Sequence, residues 1–156
     1  MRTLEDWFKD YAVSHQNKTN ILIHFICVPA IFFSIVGLLM SIPTGFLESI
    51  IPFQNGFIVN WAFVILVLVL IFYIRLSLKM AVQIFLFSAF CIVANYYIGQ
   101  YTSLWMVSVA IFAIAWVGQF YGHKLEGKKP SFLQDLQFLL IGPAWVIKKM
   151  FGSQKN

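Results

Sequence analysis

Four runs of mostly apolar residues dominate the chain, at 21–40, 57–76, 80–98 and 104–121. A helix needs about 20 such residues to cross roughly 30 Å of hydrocarbon, because every backbone polar group must be satisfied within the segment. The second run is the purest and the fourth the most polar. Ahead of the first, Leu4, Trp7, Phe8 and Tyr11 recur at helical spacing opposite Glu5, Asp6, Lys9 and Asp10. That pattern predicts an interfacial helix over 3–14 with its apolar face on the bilayer. Beyond the fourth run, residues 132–151 are apolar but interrupted by Gly142 and Pro143, with about ten residues on each side of the break. The predicted fold is therefore an all-α integral membrane protein of about four transmembrane helices. An N-terminal interfacial helix and a C-terminal re-entrant or interfacial hairpin complete one membrane-embedded domain over 1–156. No internal repeat or low-complexity tract is visible, nor the inverted repeats typical of many transporters.

Composition agrees, since 60% hydrophobic and 11% charged residues lie outside the range of soluble globular chains. The net charge of +5 would suit nucleic acid. Its basic residues, however, flank apolar runs instead of interleaving with aromatics on a polar face, so a membrane border is predicted and no nucleic-acid partner. Their distribution also predicts orientation. Arg2, Lys9 and Lys18 precede the first span, Arg75 and Lys79 join the second and third, and Lys124, Lys128, Lys129, Lys148, Lys149 and Lys155 follow the fourth. The opposite loops, 41–56 and 99–103, hold no Lys or Arg, which places both termini in the cytoplasm. The N-terminus carries acids, and no small-residue cleavage site follows the first run, so that run is expected to be retained. Cys27 and Cys91 lie inside apolar runs without metal or redox spacing and read as small buried hydrophobes.

The same topology gathers the polar chemistry. His15 lies just before the first span, His24 about one turn inside it and His123 at the exit of the fourth, all on the basic side. At 1.5 Å per residue, His24 sits only some 5 Å below the start of its span, within reach of the other two. A histidine at a helix end is most often a snorkelling interfacial residue. Here the surroundings are richer. Asn17 or Asn20 can cap the first span, and Asn20 stands four residues before His24. Gln119, His123 and Glu126 follow at i, i+4 and i+7, where Gln119 could orient the imidazole and Glu126 join a metal shell. An ion pair with a neighbouring lysine is the plainer role for Glu126, and a surface charge for Asp135. Asn60, Gln83 and Asn95 read as interhelical hydrogen-bonding groups. The candidate ligands are thus His15, His24 and His123, with Gln119, Asn20 and Glu126 as candidate catalytic residues.

Three imidazoles with an optional carboxylate suit iron or zinc, and spacing does not choose between them. A haem held by His24 and His123 is the one other cofactor the histidines allow. The chain has no GxSxG elbow, Walker loop or dinucleotide fingerprint, and too few histidines for a diiron desaturase-type site.

Two blocks at opposite ends, about 50 residues together, resemble the 2-hydroxy fatty acid dioxygenases of phytosphingosine breakdown. The first is His15-x-Asn17-x-x-Asn20-x-x-x-His24 followed by Val28-Pro29. The second is Trp116-x-x-Gln119-Phe120-x-Gly122-His123, then Glu126, Lys128, Lys129, Pro130 and Gly142-Pro143. The resemblance implies a membrane-embedded iron(II) enzyme that shortens a 2-hydroxy fatty acid by one carbon in α-oxidation, with the family's histidines at His15, His24 and His123. Glu126 stands one position closer to His123 than its counterpart in some relatives, and no histidine occurs near 95–101, where some relatives carry one. Oxidising such an acid to the shorter acid and CO2 releases four electrons, the number that reduces one O2 to water, so no nucleotide cofactor is implied. Its hydroxyl and carboxylate can chelate iron, and three protein ligands leave room for O2. The carboxylate would meet the basic rim at Lys18, Lys124, Lys128 or Lys129. A cytoplasm-facing site fits a bacterial inner membrane or an endoplasmic reticulum. Two other classes remain open at this point: a non-enzymatic membrane scaffold or small transporter, which binds no metal, and a zinc hydrolase acting on a lipid, which consumes no O2.

Overall fold

The structure is a computed structural model that describes residues 3–13, 15–52, 55–127 and 141–149. The described residues are mostly helical and contain no strand: α1 (Leu4–Val13), α2 (Lys18–Met40), α3 (Gly45–Ile50), α4 (Trp61–Leu76), α5 (Leu78–Tyr101) and α6 (Leu104–Glu126), with residues 141–149 also helical. Of these, α2, α5 and α6 are long and apolar enough to cross a membrane.

Local chemistry sets the boundaries. Thr3 and Asp6 cap α1 reciprocally, the Thr3 hydroxyl accepting from the Asp6 N–H at 3.2 Å and the Asp6 carboxylate from the Thr3 N–H at 3.0 Å. Asn17 starts α2, its side-chain oxygen accepting from the N–H groups of Thr19 and Asn20 at 2.9 and 3.3 Å. α2 then runs unbroken through Pro29. α6 ends at Gly127, whose φ of 71° is the left-handed conformation that closes a helix.

The second apolar run shortens relative to expectation. Asn60 accepts from the Phe63 N–H at 2.8 Å and so caps α4, while residues 56–60 form turns and bends. α4 keeps 16 residues, about 24 Å of helix against the roughly 30 Å of a hydrocarbon core. Asn60 is thus a cap, not the interhelical bond its sequence position suggested. Only Ser77 separates α4 from α5; its side chain caps α5 at the Met80 N–H, 3.4 Å away. α3, within the predicted loop 41–56, was not expected.

Burial is inverted relative to a water-soluble protein. Asn20, Ser34 and Asn95 are fully buried, whereas Leu22, Ile26, Ile114 and Val117 are 62 to 74% exposed. Helices that turn polar groups inward and large aliphatics outward match a lipid solvent.

The chain forms two compact units. One is Phe33–Phe112, where Asn95 donates to the Phe33 carbonyl at 3.1 Å and to its own-helix Cys91 carbonyl at 2.9 Å, the interhelical role expected of it. Gly37 lets these helices close up: a Cβ there would fall 2.4 Å from the Asn95 side-chain oxygen and 2.2 Å from the Ser108 hydroxyl.

The other unit comprises Met1–Phe32 and Ala113–Asn156. Here α1 departs from a purely interfacial helix, because Phe8 and Tyr11, on the face expected against lipid, are buried within the protein. Lys148 ties α1 to residues 141–149 through Glu5 at 2.5 Å. Gly142 and Pro143 lie inside that helical stretch instead of breaking it, and Ile141, Ala144, Trp145 and Val146 are buried. Residues 132–140 of the expected hairpin's first arm lie outside the described residues, Asp135 among them, as do Lys128 and Lys129.

Candidate metal centre

His15, His24 and His123 come together in the unit formed by the two ends of the chain. All three are buried, and one nitrogen from each falls within 4.8 Å of the others. The rings meet edge to face, with centroids 4.3 Å apart for His15 and His24, 5.1 Å for His24 and His123, and 5.6 Å for His15 and His123.

The backbone fixes which nitrogens face the centre. His15 Nδ1 lies 2.6 Å from the Tyr11 carbonyl and His24 Nδ1 lies 2.9 Å from the Asn20 carbonyl. A carbonyl only accepts, so each Nδ1 carries the proton and each Nε2 the lone pair. This is the arrangement in which a histidine ligates a metal while its other nitrogen is held by an outer partner. Among the described residues, His15 Nε2 is buried with no hydrogen-bond partner, a state that costs free energy unless a donor or a metal ion takes up its lone pair. Burial also drives the His15 imidazole down to about 4, against the raising influence of the Tyr11 carbonyl, so it is neutral near pH 7.

These residues fit a metal ion. Donors bound at about 2.1 Å lie at most about 4.2 Å apart across a shared ion, so a spread of 4.8 Å closes by small side-chain rotations. Three neutral imidazoles suit a borderline transition metal.

The candidate catalytic residues lie around this cluster in distinct roles. Glu126 extends α6 by the i+7 step expected of it, and its two carboxylate oxygens reach the N-terminal segment. One accepts from the Gln16 N–H at 2.9 Å; the other accepts from the Asn17 N–H at 3.0 Å and the Asn20 side-chain amide at 2.9 Å. The carboxylate thereby holds the segment that carries His15. Asn20 is fully buried, positioning His24 through its carbonyl and contacting Glu126 through its amide. Gln119 is buried one turn before His123, and its amide oxygen has no hydrogen-bond partner among the described residues.

Several contributors had no role assigned from sequence. Gly118 and Gly122 let α2 and α6 approach: a Cβ at Gly122 would stand 2.4 Å from the Asn20 side-chain oxygen, and one at Gly118 would stand 2.6 Å from Cys27 Sγ. Their four-residue spacing in an apolar helix is the sequence signal for such packing. Tyr11 stacks flat on His15 at 4.0 Å, and Trp145 leans on both rings, 5.0 Å from Tyr11 and 5.6 Å from His15. Gly142 makes room for Tyr11, whose hydroxyl would lie 3.3 Å from a Cβ there.

A family model described as "2-hydroxy-palmitic acid dioxygenase Mpo1-like" matches residues 1–154. The chain belongs to the Mpo1-like family. This is the family that the blocks around His15 to His24 and around His123 resemble, and the match also takes in the middle helices, which the motifs left out. No curated protein and no solved structure matches the chain.

Proposed function

We propose that this protein is a membrane-embedded iron(II) dioxygenase that shortens 2-hydroxy fatty acids by one carbon, converting acid and O2 to the shorter acid, CO2 and water. The observation that carries this reading is the buried trio His15, His24 and His123, with Nδ1 of His15 and of His24 tied to backbone carbonyls, in a chain of this family. The three histidines are the proposed ligands. Bound there, iron(II) would supply the redox chemistry that activates O2 and a Lewis-acidic site for the hydroxy acid.

The protein's own groups prepare that site. The Tyr11 and Asn20 carbonyls orient two imidazoles before any ligand arrives, and the low His15 pKa keeps protons from competing. Glu126 fastens the N-terminal segment to α6, so that His15 and His123 keep their spacing. Gln119, whose amide oxygen has no partner among the described residues, is the proposed acceptor of a hydrogen bond from a substrate hydroxyl. The exposed apolar helix faces give a long acyl tail access from the bilayer, and the distribution of basic residues supports a site on the cytoplasmic side with both termini.

Oxygen uptake by the iron-loaded protein on a long-chain 2-hydroxy acid, with the acid product measured by mass spectrometry, tests the proposal. It predicts one O2 consumed per shortened acid formed, without nucleotide. Zinc as the native metal, or a metal-bound protein that consumes no O2 with these acids, would contradict it.

A further inference from the structure

We infer that Lys149, held over the Trp145 ring beside the histidine cluster, is the cation that receives the carboxylate of a fatty acid at this site. The inference rests on the proposed function for the identity of the acid and adds the residue that recognises its headgroup.

Two adjacent lysines on the helical stretch 141–149 have different fates. Lys148 is committed, its ammonium 2.5 Å from the Glu5 carboxylate and 4.7 Å from the Phe8 ring. Lys149 points elsewhere, since neighbours in a helix diverge by about 100°. It lies one turn beyond Trp145, and its ammonium rests 4.5 Å from that ring's centroid. A π face holds the cation without neutralising it, and no carboxylate among the described residues pairs with Lys149. Trp145 in turn stands 5.6 Å from the His15 ring. Laid end to end, those two distances put the ammonium no more than about 10 Å from His15.

The geometry suits an amphiphilic acid. The ammonium offers three donors, so contact with the indole leaves it able to bind a carboxylate oxygen. A carboxylate held at Lys149 sets the adjacent C2 hydroxyl towards the histidines, while Trp145 and Phe25, 6.3 Å apart, offer apolar surface to the first methylenes. Of the four lysines considered from sequence, Lys128 and Lys129 lie outside the described residues, and Lys18 and Lys124 are exposed at helix ends, with no cation–aromatic contact among the described residues.

The test is equilibrium binding to the metal-free protein in detergent, followed by tryptophan fluorescence, with 2-hydroxypalmitate and its methyl ester as probes. The wild type should bind the acid about two- to fivefold more tightly than the ester, the scale of one exposed charge pair. Lys149→Met should abolish that preference, Lys149→Arg should retain most of it, and Lys148→Met should leave it unchanged. A Lys149→Met protein that still prefers the acid by the wild-type margin, or a wild type with no preference, overturns the inference. In the iron-loaded protein, Lys149→Met should raise KM several-fold with kcat within about twofold. Acid binding through Lys149 without O2 uptake would refute the proposed reaction and leave the subsite standing; turnover with an unchanged KM would do the reverse.

Discussion

Replacing Glu126 with alanine separates a positioning role from a ligand role. The carboxylate accepts three N–H groups, from Gln16, Asn17 and the Asn20 amide. The first two belong to exposed residues, so water replaces their partner at little cost. The Asn20 amide belongs to a fully buried residue, and taking a charged acceptor away from such a donor costs about 1–3 kcal/mol. Part of that penalty falls on the folded state as a whole. Another part falls on the metal, because the freed segment carries His15 directly and His24 through the Asn20 carbonyl. Loss of a group that orients ligands typically lowers metal affinity 10–100-fold. Isothermal titration of the metal-free Glu126→Ala protein with Co(II) should therefore give a Kd raised by that factor with the stoichiometry unchanged. Glu126→Gln keeps one acceptor oxygen and should fall between. Wild-type affinity in the alanine variant would refute the clamp. A fall in stoichiometry at saturating metal would make Glu126 a ligand instead.

Other perturbations probe the same frame. Gly122→Ala places a methyl group 2.4 Å from the Asn20 oxygen, so α2 and α6 must part, at about 1–3 kcal/mol in a detergent melt. Gly118→Ala crowds the Cys27 sulfur at 2.6 Å and meets Ile23 only at an ordinary 3.8 Å, and should cost less; equal losses would argue against Asn20 as the sensitive contact. The metal-free protein should lose stability on acidification. The unfolded His15, with a pKa near 6.5, takes up a proton before the folded one does at about 4, so stability falls across that interval by up to about 3 kcal/mol and levels off below it. A His15→Ala protein should show a correspondingly shallower decline in chemical-denaturation curves recorded against pH. Asn95→Ala removes an interhelical bond to the Phe33 carbonyl and should lower the melting temperature by a few degrees without altering metal affinity.

The long spans were legible because lipid imposes one simple rule, so α2, α5 and α6 fall within a few residues of the apolar runs. α4 was overestimated because hydropathy does not register a cap: Phe57 and Ile58 are apolar, yet Asn60 turns its side chain onto the Phe63 N–H and starts the helix there. The three histidines could be assigned to one side from the Lys and Arg distribution. That their nitrogens fall within 4.8 Å could not be read, because it depends on how closely α2 and α6 pack at Gly118 and Gly122. Tyr11 was expected on the bilayer face of α1, and Trp145 had no role assigned from sequence. Whether an aromatic faces lipid or a histidine depends on tertiary packing, to which the 3.6-residue period is blind. Glu126 had the right spacing, but its partners are 106 to 110 residues away along the chain.

The central claim is that His15, His24 and His123 hold one metal ion together. Metal analysis of the protein purified anaerobically, beside the three single alanine variants, tests it most directly. The account predicts one iron per chain in the wild type and near-complete loss in each variant, with every protein still inserted in the membrane. A wild type without metal, or any histidine variant that keeps full iron, would contradict it.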